Sequence, residues 1–184
     1  MITLYTDGSA LLADQSGGWA WWVSDAFYDA GHVTPATNNQ MEMLAVTRGL
    51  NACRNHGEDV LVVSDSAYVI NCFLQRWHIG WRQRTDFDGV WRTKDGKRVA
   101  NQEYWEQLLE VVEHYPTTVS WRHCRGHGRG GPEDAPYVYG NDKVDRLAGA
   151  ARKARVEGRP YPPADKGAAT MAGALFTVRK RAKR

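Results

Sequence analysis

The apolar positions of this chain fall into short strand-like runs up to about residue 34, and beyond it helical spacings alternate with further short runs. Residues 2–7 begin Ile2-Thr3-Leu4-Tyr5, types suited to a pleated sheet, and close at the turn-prone pair Asp7-Gly8. Gly17-Gly18 opens a second run, Trp19-Ala20-Trp21-Trp22-Val23, and a third strand is expected around Tyr28–Thr34. Links this short favour antiparallel pairing. A helix follows to about Cys53, capped by Asn38 or Asn39, with Met41, Leu44, Ala45 and Ala52 on its apolar stripe. Val60-Leu61-Val62-Val63 is a continuous apolar run, as a strand buried on both faces requires, and it passes through Ser64-Asp65 into a helix from about Ser66. The spacing of Trp105, Leu108, Leu109 and Val112 predicts a helix over Glu103–Tyr115, stopped by Pro116. Thr118–Arg122 reads as a fifth strand, and Asn141 or Asp142 as the cap of a last helix running to about Gly158. This order predicts an α/β domain: a mixed five-stranded sheet, three strands antiparallel and two parallel, with helices on both faces.

Charge divides the chain in two. Residues 1–151 carry 14 Lys/Arg against 19 Asp/Glu, whereas residues 152–184 carry 10 against 2. Within the acidic body, residues 76–98 concentrate Arg76, Arg82, Arg84, Arg92, Lys94, Lys97 and Arg98. Two basic segments beside an acidic body suit a phosphate-bearing partner. The tail 159–184 begins Arg159-Pro160-Tyr161-Pro162-Pro163 and is expected to be an extended linker rather than a second domain. No apolar run reaches the roughly 20 residues of a membrane span, so no membrane association is expected. Cys53, Cys72 and Cys124 are odd in number and show no paired spacing, so they read as buried thiols in a reducing, cytoplasmic setting.

Four acidic residues stand where they could share one site. Asp7 and Asp65 end two strands which, as parallel neighbours about 4.8 Å apart, bring both carboxylates to the carboxyl edge of the sheet. Glu42 would project from the first turns of one helix and Asp145 from the start of another. Singly, each has a plainer use: a turn, a helix cap, a charge beside a helix dipole, an exposed helix face. Together, all-oxygen ligands without His or Cys select hard cations, so Mg²⁺ is expected and Mn²⁺ is a substitute.

The stretches Tyr5-Thr6-Asp7-Gly8-Ser9, Asn38-Asn39-Gln40-Met41-Glu42-Met43, Val62-Val63-Ser64-Asp65-Ser66 and Asn141-Asp142-Lys143-Val144-Asp145-Arg146-Leu147-Ala148 together resemble ribonuclease H type 1, over about residues 1–155. The resemblance implies the ribonuclease H fold over residues 1–158. It implies a monomeric endonuclease that cuts the RNA strand of RNA–DNA hybrids with two metal ions, leaving 5′-phosphate and 3′-hydroxyl ends. Asp7, Glu42, Asp65 and Asp145 would be the metal ligands, and His127 would assist proton transfer or product departure. Gly8, Ser9, Asn38, Asn39 and Gln40 would face the minor groove, and Asn141 would be a cap or an orienting neighbour. Residues 76–98 resemble a basic protrusion, with Trp81, Arg82 and Arg84 as its binding candidates; Trp77 and Trp91 suit the core.

The chain departs from the family pattern in two places. Gly126-His127 is followed by thirteen residues, 128–140, before Asn141, making a glycine-rich loop over 126–140 and leaving Asp142 and Asp134 as alternatives to Asp145. Ala67 stands where a polar residue such as glutamine is usual. Other readings are a non-catalytic hybrid- or duplex-binding module, a 3′–5′ exonuclease or a junction resolvase. The exonucleases carry a D-x-E pair on the first strand, where this chain has Asp7-Gly8-Ser9.

Overall fold

The computed structural model describes residues 1–126 and 130–156; His127 and the tail 159–184 lie outside the described residues. Five strands form one sheet: β1 (Ile2–Leu11), β2 (Ser16–Ser24), β3 (Phe27–Val33), β4 (Val60–Ser64) and β5 (Val119–His123). Their order is β3-β2-β1-β4-β5, antiparallel across β3, β2 and β1 and parallel across β1, β4 and β5. The expected mixed sheet is therefore the observed one. Helices α1 (Asn38–Cys53), α2 (Ala67–Leu74), α3 (Trp77–Gln83), α4 (Gln102–Glu113) and α5 (Ala135–Val156) complete the fold.

Strand alternation sorts the core into two layers. Leu4, Trp21 and Val62 face a cluster built on α1 and α4, around Met41, Leu50, Trp105 and Leu108. Tyr5, Ala20 and Val63 face the other cluster, against Val144, Ala148 and Ala151 of α5. The last three recur at helical spacing, which is why α5 lies flat on β1 and β2. Among the described residues no helix is long and apolar enough to cross a membrane.

Three local expectations change. Asp7-Gly8 does not end the first strand: Asp7 pairs with Ala20 and Gly8 with Trp19, and the strand runs on to Leu11. Cross-strand pairing with β2 outweighs the turn preference of the dipeptide. The cap of α1 is Thr37 rather than an asparagine, because its hydroxyl accepts from the Gln40 N–H while the Gln40 side chain accepts from the Thr37 N–H at 2.9 Å. The last helix starts at Ala135, six residues before Asn141, after a single turn over Pro132–Asp134. Gly140 fits inside that helix because the Tyr5 ring fills the space beside it: a Cβ there would lie 2.4 Å from the ring. The loop expected over 126–140 is thus helical in its second half.

Candidate active site

Parallel pairing of β1 with β4 sets the centre of the site. Tyr5 stands opposite Val63, and the same register carried two residues further sets Asp7 level with Asp65. Asp7 keeps the parity of Tyr5 and so lies toward the α5 layer. Two glycines draw the neighbouring elements inward. A Cβ on Gly8 would lie 2.2 Å from the Glu42 nitrogen, so the first turns of α1 rest directly on β1. A Cβ on Gly126 would lie 2.4 Å from Asp65 Oδ2, so the loop after β5 closes against that carboxylate.

Asp7, Gly8, Ser9, Asn38, Glu42, Asp65 and Asp145 line one open cleft of about 290 Å³. Its electrostatics are those of crowded like charges. Burial, then the charges of Asp65, Asp145 and Glu42, push the Asp7 carboxyl well above its ordinary 3.8, against a hydrogen bond from the Gly8 backbone. Burial is also the largest cause of the raised Glu42 carboxyl; Asp65 adds to it, while hydrogen bonds from Ser66 and Asn38 oppose it. Among the described residues, no group of three or more His, Cys, Asp and Glu side chains is gathered tightly enough to hold a metal ion as it stands. The four carboxylates line one cleft, where like charges repel one another. Their chemistry, oxygen donors alone in a polar cleft, nevertheless fits a hard divalent cation.

Glu42 is held on both sides. Its Oε1 accepts from Asn38 Nδ2 at 2.7 Å, and its Oε2 accepts from the Ser66 hydroxyl. Asn38 in turn accepts the Ala10 N–H through Oδ1 at 3.1 Å. The amide expected to face a substrate is therefore engaged between β1 and α1. Ser66 carries no role in the sequence pattern; its position directly after Asp65 was the available signal.

Asp145 lines the cleft, whereas its two alternatives do not. Asp134 is buried and paired with Arg122 at 3.3 Å; the same guanidinium donates to the Glu133 carbonyl at 2.8 Å. Asp142 lies one position along α5 from Asn141 and acts on the Cys124 thiol, as does Asp134. Asn141 is not a cap. It is buried inside α5, one turn before Asp145 and on the same face, with its Nδ2 close to Gly126.

Trp81 and Trp91 of the basic segment turn inward, whereas Phe87 is exposed. Trp81 is only 8% exposed and packs on Trp105 at 5.4 Å and Trp77 at 6.2 Å, so its ring is not presented for stacking on a substrate. The apolar face of α3 directs it there. Arg82 is exposed but pairs with Glu113 and lies over Trp91, and Arg84 donates to the Arg92 carbonyl at 3.3 Å. A second open pocket of about 340 Å³ is lined by Gln40, Arg98, Asn101, Gln102 and Glu103 among others, with Gln40 linking it to the helix that carries Glu42. Asn39 is half-buried beside it in sequence.

The sequence profile of the family described as RNase H matches residues 1–153. A protein named Ribonuclease H from Maricaulis maris (strain MCS10) is 32% identical over 165 residues, 88% of this chain and 98% of that protein. A Ribonuclease H from Thermus thermophilus is 35% identical over 166 residues, covering 88% and 89%. One from Tropheryma whipplei (strain Twist) is 40% identical over 120 residues, covering 65% and 71%. The solved N-terminal RNase H domain of a Mycobacterium tuberculosis protein, determined as a fusion with maltose binding protein, superposes with a TM-score of 0.57. It is 18% identical and covers 86% of this chain and 99% of its own.

Proposed function

The chain belongs to the ribonuclease H family of nucleases, and we propose that its carboxylate cleft cuts the RNA strand of RNA–DNA hybrids by a two-metal-ion mechanism, leaving 5′-phosphate and 3′-hydroxyl ends. Ribonuclease activity on hybrids follows from the family; the ion count and the end chemistry are the proposal. The observation that carries it is the convergence of Asp7, Glu42, Asp65 and Asp145, from four separate elements, on one polar cleft. A domain whose whole stability is about 5–15 kcal/mol gains nothing from such crowding unless a cation is bound.

Asp7 and Asp65 form the centre of the metal seat, with Glu42 on the α1 side and Asp145 on the α5 side. Mg²⁺ bound there, or Mn²⁺ in its place, would supply positive charge to acidify an attacking water and offset the leaving oxygen. The protein's own work is to hold the hybrid so that an RNA phosphate meets this seat. Ser9 on the cleft wall, with Asn39 and Gln40 at the start of α1, offers hydrogen bonds to 2′-hydroxyls, the groups that distinguish RNA from DNA. Gly8 contributes backbone and close packing. Arg98 in the neighbouring pocket, with exposed Arg82 and Arg84, supplies cations for flanking phosphates. His127 moves a proton on the departing side. The basic tail adds affinity for phosphates without setting sequence preference. The protein acts as a monomer in the cytoplasm, a setting that suits three buried free cysteines.

The test is an end-labelled gel assay on matched RNA–DNA, RNA–RNA and DNA–DNA duplexes, with Mg²⁺ and with excess chelator. Cleavage of the RNA strand of the hybrid alone, only with metal and with 5′-phosphate products, is expected. Equal cutting of duplex DNA, or undiminished cutting in chelator, would overturn the reading.

A further inference from the structure

We infer that Ser66 and Asn38 are positioning residues that lock the Glu42 carboxylate into a preset orientation toward its metal seat, an inference that rests on the proposed metal-dependent function. The two oxygens of the Glu42 carboxylate are each tied to a different side chain: Oε1 to Asn38 Nδ2 at 2.7 Å and Oε2 to the Ser66 hydroxyl. The two ties run to different strands. Ser66 follows Asp65 at the end of β4, and Asn38 is joined to β1 through the Ala10 N–H at 3.1 Å. Glu42 is thereby referenced to both strands that carry the central acids, although it belongs to neither.

The hydrogen-bond inventory makes the arrangement specific. An ionised carboxylate offers about four lone-pair sites. Ser66 and Asn38 take one on each oxygen, which fixes the plane of the group and leaves one outward site on each for a cation. Ser66 is nearly buried, so water does not replace its hydroxyl freely. Its oxygen also accepts the Val69 N–H at 3.3 Å as the cap of α2. That second bond fixes the rotamer and leaves the hydroxyl proton for Glu42. Partners of this kind around metal ligands are worth about 10–100-fold in metal affinity.

The experiment must separate this role from the helix cap. Ser66→Gly removes the hydroxyl yet costs the cap only a few tenths of a kcal/mol, whereas Ser66→Ala costs the cap about 1 kcal/mol. Calorimetric titration of the full-length protein with Mn²⁺, without nucleic acid, should show both variants weakened by about tenfold and to the same extent, whatever their melting temperatures. Placed in a Glu42→Gln background, Ser66→Gly should cause no further loss of affinity. With hybrid substrate, the Mg²⁺ needed for half-maximal rate should rise while KM for the hybrid stays within about twofold. Wild-type affinity in Ser66→Gly, or an equal loss in both backgrounds, would overturn the inference. A wild-type protein that binds Mn²⁺ but leaves hybrids intact would overturn the functional reading instead, and the affinity comparison would still decide the role of Ser66.

Discussion

Gly8 of β1 lies directly beneath the backbone of Glu42 in α1, so close that a Cβ on Gly8 would approach the Glu42 nitrogen to 2.2 Å. This contact sets the distance between the strand of Asp7 and the helix of Glu42. Backbone cannot swing away as a flexible side chain would. Gly8→Ala should therefore lift the start of α1, costing about 1–3 kcal/mol of stability as overpacked cores do and lowering turnover through displacement of Glu42. Urea unfolding with a parallel hybrid-cleavage assay checks both, and a Gly8→Ala protein of wild-type stability and rate would mean that the contact relaxes freely.

Burial of Asp7, followed by the charges of the acids around it, makes the metal-free protein less stable as that carboxylate ionises. The folded-state pKa of Asp7 is raised above its ordinary 3.8, so folding favours the protonated form. Its destabilising effect is absent below the unfolded pKa, grows as pH rises toward the folded value and is complete above it. In chelator at neutral pH, Asp7→Asn should raise the melting temperature by a few degrees, since about 1 kcal/mol moves a domain of this size by roughly 2–4 °C. The gain should shrink as pH falls toward about 4. A variant less stable than wild type at neutral pH would assign Asp7 a structural role.

The three acids around the inserted segment should separate by readout. Asp145→Asn should lower turnover by orders of magnitude with little change in stability, because the residue is exposed on the cleft wall. Asp134→Asn should instead cost stability, about 1–2 kcal/mol given that Arg122 is half-exposed, with a smaller kinetic effect. Asp142→Asn should be mild in both. Turnover that depends on Asp134 or Asp142 and tolerates Asp145→Asn would reassign the last ligand.

For the basic segment, the inward turn of its tryptophans divides packing from binding. Trp81→Ala should destabilise the domain by about 3–5 kcal/mol, the cost of emptying a large core site. Arg84→Ala should leave stability near wild type, raise KM for hybrids at low salt and flatten the salt dependence. Thermal melts with KM measured at two salt concentrations decide it, and a fully stable Trp81→Ala protein with weakened binding would return that ring to the substrate.

Much of this architecture was legible in the sequence because its cues were local. The apolar run of β4, the periodicity of α4 and the ordered acids of four stretches each carry their signal in a few residues. The errors arose where distant partners decide. Asp7-Gly8 has the chemistry of a turn, and only pairing with Ala20 and Trp19 keeps it in the strand. Asn38 resembles a cap until Thr37 and Gln40 close a capping box ahead of it. Trp81 stands among cations in the sequence, yet helical geometry points it to Trp105. The start of α5 was obscured by the glycines and prolines before Asn141, where Arg122 ties Glu133 and Asp134 down. Ser66 could not be assigned from sequence, because nothing along the chain says that its hydroxyl meets a carboxylate 24 residues away.

The most direct measurement is single-turnover cleavage of a labelled RNA–DNA hybrid by wild type and Asp65→Asn at saturating Mg²⁺, with circular dichroism on the same samples. The four-carboxylate cleft predicts a rate lowered by about 10³-fold or more, equivalent to roughly 4 kcal/mol of transition-state stabilisation, in a protein whose fold and melting profile are retained. An Asp65→Asn enzyme that cleaves the hybrid at near wild-type rate would contradict it.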